Sequence, residues 1–290
     1  MMNKWTKKLG LIALISTTAL LAACGGANGN APAASPAPSA SPGAEQPAAE
    51  GGQLADIKKA GVLKVGLMGT YAPYNFLNDN KEIDGFDADI AKEIAKRLGV
   101  QAEFAPQEFS GLIPSLQAKK IDVIISQVTI TDERKKAIDF SQPYITNQVK
   151  VIVQEKNDAI TKLADFKGHK IGVGLGTNDE TYLRTTVLPE VGDFEIKTYD
   201  DVITTLQDLN AGRIDATINN LYALKPVVEK NGFQIKAVGE PIKSDRAGVA
   251  LRKDNPDLLA AIDEALTGIK EDGTYKTIFV KWFGEEPPAE

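Results

Sequence analysis

The chain of 290 residues contains one cysteine, Cys24, and one histidine, His169, so it can close no internal disulfide and assemble no cysteine/histidine zinc centre. A Ser-His-Asp triad would have to use His169, which stands between Gly168 and Lys170 where a turn enters a strand and reads as an exposed turn residue. No metal or other cofactor is expected. Basic residues are also outnumbered, 33 Lys and Arg against 39 Asp and Glu. The net charge is −6, and it becomes −9 once Lys4, Lys7 and Lys8 of the first 23 residues are set aside, so nucleic acid is a poor partner. Long apolar runs are missing as well. The stretch Leu9 to Leu21 would rise only about 20 Å as a helix, short of the roughly 30 Å hydrocarbon core, which disfavours a permanent membrane span.

What is present at the N-terminus is a basic segment, a short apolar segment and Leu21-Ala22-Ala23-Cys24-Gly25. This resembles a bacterial lipoprotein signal. Residues 1–23 are then a leader, and Cys24 is the lipidated first residue that anchors the protein to the outer face of the cell membrane, facing the periplasm if there are two membranes. Residues 25–52 are almost wholly Gly, Ala, Pro, Ser, Asn, Glu and Gln, too poor in large apolar side chains to build a core. Residues 24–53 are therefore expected to form a disordered tether.

About 240 residues remain, enough for two lobes. Val62 to Leu67 reads as a buried strand, Phe86 to Leu98 as a helix with Phe86, Ile90, Ile94 and Leu98 on one face and Gly99 as its stop, and Val100 to Phe104 as a strand. Ser110 is a candidate cap for a helix through Leu116, followed by an apolar strand from Ile121 to Ile125. The pattern recurs as strand 171–173, helix 180–187, strand 194–197, helix 202–211 and strand 214–218. Leu116-Gln117-Ala118-Lys119-Lys120-Ile121-Asp122 parallels Leu209-Asn210-Ala211-Gly212-Arg213-Ile214-Asp215, either as a repeat or as a chance likeness of helix-to-strand turns. A strand at 247–251, a helix opened by Asn255-Pro256 and a last aromatic helix from Tyr275 complete the chain. Two α/β winds with parallel strands predict a cleft lined by loops at the strands' carboxyl ends.

The informative segment is Ser126 to Arg134. Thr131 reads as a helix N-cap, which sets Arg134 in the first turn against the helix dipole. Two explanations stand side by side: a carboxylate site, where the guanidinium fork meets both oxygens, or an exposed arginine paired with Asp132, Glu133 or Asp139.

The chain resembles the family 3 extracellular solute-binding proteins, the polar amino-acid receptors of ABC transporters. The resemblance is carried, over about residues 55–284, by Gly61 to Gly66 with Tyr71-Ala72-Pro73-Tyr74, by Gly85 to Ala91, by Gly111 to Leu116 and by Thr129 to Arg134. It continues through Asp139 to Tyr144, Asp272 to Tyr275 and Lys281 to Gly284. It implies a type II periplasmic-binding α/β fold: one lobe from 54–146 with 244–284, the other from 147–243, a tail at 285–290, and two crossing strands as the hinge. It implies further that Arg134 clamps a ligand carboxylate with Ser126, Gln127 and Thr129, that Tyr71 and Phe109 sandwich the side chain, and that Gly174, Thr177, Asn178 and Asp179 face them across the cleft. Two departures matter. Asn220 stands where the family commonly has the aspartate that binds the ligand's ammonium, and Met68 replaces an acidic residue that some relatives with basic ligands use. A neutral or polar amino acid, cystine-like among them, is the expected ligand of a monomer that serves an ABC permease. The alternatives are an amine-free organic acid as ligand, or an enzyme like the cyclohexadienyl dehydratases, with Asp179 or Glu180 as its acid.

Overall fold

The computed structural model describes residues 52–288. Cys24, the expected leader at 1–23 and all but the last two residues of the expected tether at 24–53 lie outside the described residues, and Gln53, expected to end the tether, instead opens the first helix. Helix α1 (Gln53–Ala60) leads into β1 (Val62–Leu67), followed by a small antiparallel sheet of β2 (Thr70–Tyr71), β3 (Asn75–Leu77) and β4 (Ile83–Asp84). Next come α2 (Phe86–Leu98), β5 (Gln101–Pro106), α3 (Phe109–Gln117), β6 (Val123–Ile124), α4 (Asp132–Lys135) and the long β7 (Ile138–Gln154). The second half runs β8 (Lys170–Gly174), α5 (Asn178–Tyr182), α6 (Leu188–Val191), β9 (Glu195–Tyr199), α7 (Val202–Asn210), β10 (Ala216–Asn220) and α8 (Leu221–Asn231). The equally long β11 (Ile235–Arg252), α9 (Pro256–Glu271) and α10 (Thr274–Phe283) close the chain.

Among the described residues the main sheet has the order β5-β1-β6-β11-β7-β10-β8-β9. Each flank is parallel, as the winding predicts, whereas β7 and β11 are antiparallel to each other and to their neighbours β10 and β6. Helices cover both faces of both flanks, which is why strands such as β6 and β8 are apolar without alternation. Phe86, Ile90 and Ile94 of α2 are fully buried against Ile262 and Leu266 of α9 and Phe279 of α10. Leu112 and Leu116 of α3 cover the opposite face through Ile121, Ile124 and Ile138. On the other flank, Val173, Leu183, Val187 and Ile218 share one cluster, and Leu206, Leu209, Ile214 and Val227 another.

The parallel between residues 116–122 and 209–215 extends to the hydrogen bonds. Asp122 N–H donates to the Lys64 carbonyl at 2.8 Å while the Asp122 carboxylate accepts from Lys64 N–H at 3.0 Å; Asp215 makes the same two bonds with Lys170, both at 2.8 Å. In each copy the aspartate fastens the strand that follows the helix to the start of its parallel neighbour. The same copies hold Gly66 and Gly172, where an added Cβ would collide with Ile121 and Ile214 respectively.

Some boundaries differ from the sequence reading. Ser110 is not a cap: α3 starts at Phe109, which packs its ring against two of the apolar clusters, and Glu108 occupies the cap position with no side-chain bond. The helix expected at 180–187 is helical from 178 through 191, with a π-turn at Leu183–Val187, and it is capped by Thr177, whose Oγ1 accepts from Glu180 N–H at 3.2 Å. The strand expected at 247–251 is the end of the 18-residue β11. His169 sits half-buried at the turn before β8, its Nδ1 3.3 Å from Asp215.

Candidate functional site

The loops after the parallel strands of both flanks face one another across β7 and β11, and all eleven residues singled out for ligand binding line one cleft between them. On the first flank, Ser126 and Gln127 follow β6. Ser126 Oγ accepts from Met68 N–H at 3.1 Å. Gln127 has a left-handed φ of 54°, costly for a residue with a side chain, and it is held there from within. Its N–H donates to Tyr144 Oη at 3.1 Å, its Nε2 to Asp87 Oδ1 at 2.6 Å, and its Oε1 accepts from Asn147 Nδ2 at 2.7 Å. The Gln127 amide is thus committed to the interior, and the residue shapes the cleft floor.

Asp87 anchors that interior network. It is fully buried and accepts from Asn75, Gln127 and Tyr144. Burial pushes its carboxyl up to about 7, against the opposing pull of those three donors.

Arg134 sits where the capping argument put it, its N–H bonded to Thr131 Oγ1 at 3.2 Å. Its Nη1 donates to the Thr129 carbonyl at 3.0 Å, its Nη2 reaches the Gly176 carbonyl of the other flank at 3.4 Å, and its guanidinium lies 5.4 Å from the Phe109 ring centre. The alternative partners are engaged elsewhere: Asp132 with Lys135, Glu133 with Lys136 and Asp139 with Lys253. Burial lowers the Arg134 pKa while Asp179 and Asp245 pull it back up. Each terminal nitrogen spends one N–H on these carbonyls, and three of the five N–H donors remain for an anion.

From the second flank, Thr177 Oγ1 donates to the Gly174 carbonyl at 2.7 Å. Asn178 Nδ2 reaches Asp245 Oδ2 at 3.3 Å. Asp179 lies 2.7 Å from Lys243 Nζ, which also contacts Asp245 at 2.6 Å. Burial raises the Asp179 pKa despite the lysine. Tyr71 bridges the flanks: its hydroxyl donates to Asn219 Oδ1 at 2.6 Å and accepts from Asn220 Nδ2 at 3.1 Å. The sequence reading did not single out Asn219, Lys243 or Asp245. Asn219 adjoins a residue that was named, but Lys243-Ser244-Asp245-Arg246 reads as an ordinary polar loop, and only the pairing of β11 with β7 brings Asp245 to the cleft.

A cleft between two α/β flanks tied by two long crossing strands, with a half-buried arginine on one wall and acidic and amide groups on the other, defines a small-molecule-binding protein of the two-lobed kind. The chain belongs to the bacterial extracellular solute-binding proteins, family 3, whose sequence profile matches residues 63–285. It is 43% identical over 239 residues to the L-cystine-binding protein TcyJ of Escherichia coli, covering 82% of this chain and 88% of that one. Among solved structures it is similar to an ancestral arginine-binding protein bound to arginine, at a TM-score of 0.74 and 43% identity over 77% of this chain and 99% of the other. It is also similar to an ancestral amino acid-binding protein described as a precursor of cyclohexadienyl dehydratase, at a TM-score of 0.73 and 36% identity over 79% and 99% of the two chains.

Proposed function

We propose that this chain is the receptor component of an ABC importer, that it captures an amino acid with a cystine-like ligand as first choice, and that a lipid on Cys24 tethers it to the outer face of the membrane. The observation that carries the reading is the convergence of Arg134, Ser126 and Thr129 with Thr177, Asn178 and Asp179 on one cleft, in a chain so similar to a cystine-binding relative. Arg134 takes the ligand carboxylate in its fork, and Tyr71 and Phe109 hold the side chain between their rings. The lobes are 54–146 with 244–284, and 147–243. Both boundaries fall inside β7 and β11, where Asn147 pairs with Asp245, so the hinge is the middle of two paired strands. The protein acts as a monomer that docks on a permease and carries out no chemistry of its own.

The test is thermal unfolding of the detergent-solubilised chain against L-amino acids, L-cystine, dicarboxylates, sugars and prephenate, since ligand at 100 times Kd stabilises by about 2.7 kcal/mol. A shift with L-cystine or another amino acid is the expected result. A shift with amine-free acids alone, or turnover of prephenate, would overturn it.

A further inference from the structure

An amino acid presents a carboxylate and an ammonium on one carbon, so a site that fixes the first group with Arg134 needs a carboxylate close by for the second. The resemblance puts that group at position 220, and here it is missing. Asn219 and Asn220 are uncharged, and both are engaged with the Tyr71 hydroxyl. Glu180 is no substitute, because its two oxygens are bonded to Gly176 N–H at 2.7 Å and to Arg184 Nε at 2.9 Å.

Asp179 differs from these. It lines the cleft, and its Oδ1 is closed off from water with no well-aligned hydrogen-bond donor, only the ion pair to Lys243. Lys243 is shared with Asp245, so two carboxylates are balanced by one ammonium and the group keeps one net negative charge. That charge faces Arg134, on which both aspartates act electrostatically. Arginine and the aspartate group together are neutral. A zwitterion laid between them meets an opposite charge at each end, whereas an amine-free acid would neutralise Arg134 and bring no cation to the aspartates, in a cleft that Asp200 and Asp201 line as well.

We infer that Asp179, held by Lys243 and backed by Asp245, is the carboxylate that receives the ligand's ammonium group, in place of a residue at the end of β10. This rests on the amino-acid reading of the cleft and deepens it: the acidic group stays on the second flank but moves from the end of β10 to the start of α5, and its new position selects ligands that carry an amine.

The test is calorimetric titration of the full chain with L-cystine, L-arginine, L-glutamine and 3,3′-dithiodipropionate, the counterpart of cystine without its amines. Asp179→Asn should weaken the amino acid that binds best by at least about 30-fold. It should also narrow the gap between L-cystine and dithiodipropionate. Asp179→Asn with Asn220→Asp should recover most of the loss, which a purely structural role for Asp179 would not allow. Asp179→Glu keeps the ion pair with Lys243 and serves if the asparagine variant does not fold; it should lose affinity with an unchanged melting point. Binding by a folded Asp179 variant within about threefold of wild type would overturn the inference while leaving the amino-acid reading intact. If wild type binds none of the three amino acids, that reading fails first, and this inference with it.

Discussion

Single residues in this cleft divide into those that offer a group to a ligand and those that hold such a group in place. On the proposed function, Arg134 belongs to the first kind. Arg134→Ala is expected to weaken amino-acid binding by about 3 kcal/mol or more, and Arg134→Lys should recover little, because a point charge does not reproduce the planar fork. Calorimetry that found either variant near wild-type affinity would remove Arg134 from the site. Asp87 belongs to the second kind. Its carboxyl rises from 3.8 to about 7 in the fold, so the folded state holds a proton that the unfolded chain has already released. Its contribution is therefore complete below about pH 4 and is lost as the pH climbs toward 7, a change on the order of a few kcal/mol. Asp87→Asn should remove that part of the slope from a melting-temperature profile between pH 4 and 7. It should also lower stability at pH 5, since an amide cannot accept from Asn75, Gln127 and Tyr144 together. An identical slope in the variant would show that the pH dependence arises elsewhere.

At the scale of elements, the close approach of helix-to-strand turns at Gly66 and Gly172 is the feature most open to a direct test. Gly66→Ala would drive its methyl group into Ile121 Cδ1, at a cost of about 1–3 kcal/mol for overpacking. Ile121→Val removes that carbon, so the double variant should be more stable than the sum of the two single changes predicts. Strict additivity in denaturant melts would mean that the strand itself moves instead. How legible each element was follows from similar physics. Helix α2 could be bounded to the residue, because Phe86, Ile90, Ile94 and Leu98 all face one core and Gly99 ends the run with a left-handed turn. Strands β7 and β11 could not, because each leaves one core and enters another. Their burial alternates irregularly, and Pro143, Gly239 and Pro241 interrupt them like turn residues. The same cause hid Lys243 and Asp245, whose charges look like solvent-exposed loop residues until the crossing strands are paired. Arg134 was readable because its oddity was local: a cation in the first turn behind a threonine cap.

For the whole molecule, the question is what holds the two flanks together across the cleft and how a ligand uses it. The proposed hinge is the stretch of the β7–β11 pair from Lys243 to Ala247, where the register is continuous, flanked by shifts between Val238 and Lys243 and between Ala247 and Ala250. Contacts that join the flanks include Arg134 to the Gly176 carbonyl, Tyr71 to Asn219 and Asn220, and, away from the ligand cleft, the Tyr222 ring against Phe279 and Phe283. The Tyr71 bonds exist only when the flanks are together. Tyr71→Phe keeps the ring that the proposed function sets against a ligand and removes both bonds, each worth about 1 kcal/mol net. The equilibrium of the ligand-free protein should then move toward the open form by roughly tenfold or more. Small-angle scattering without ligand should give a larger radius of gyration for Tyr71→Phe than for wild type, and the two should coincide at saturation. The drop in affinity measures the starting balance, because apparent affinity scales with the fraction already closed. If the wild type is mostly open, affinity falls by nearly the full shift; if it is mostly closed, the early part of the shift costs little. Equal radii in the absence of ligand would mean that the Tyr71 bonds do not set the balance, and closure would then rest on the ligand's own bridge between Arg134 and the acidic wall.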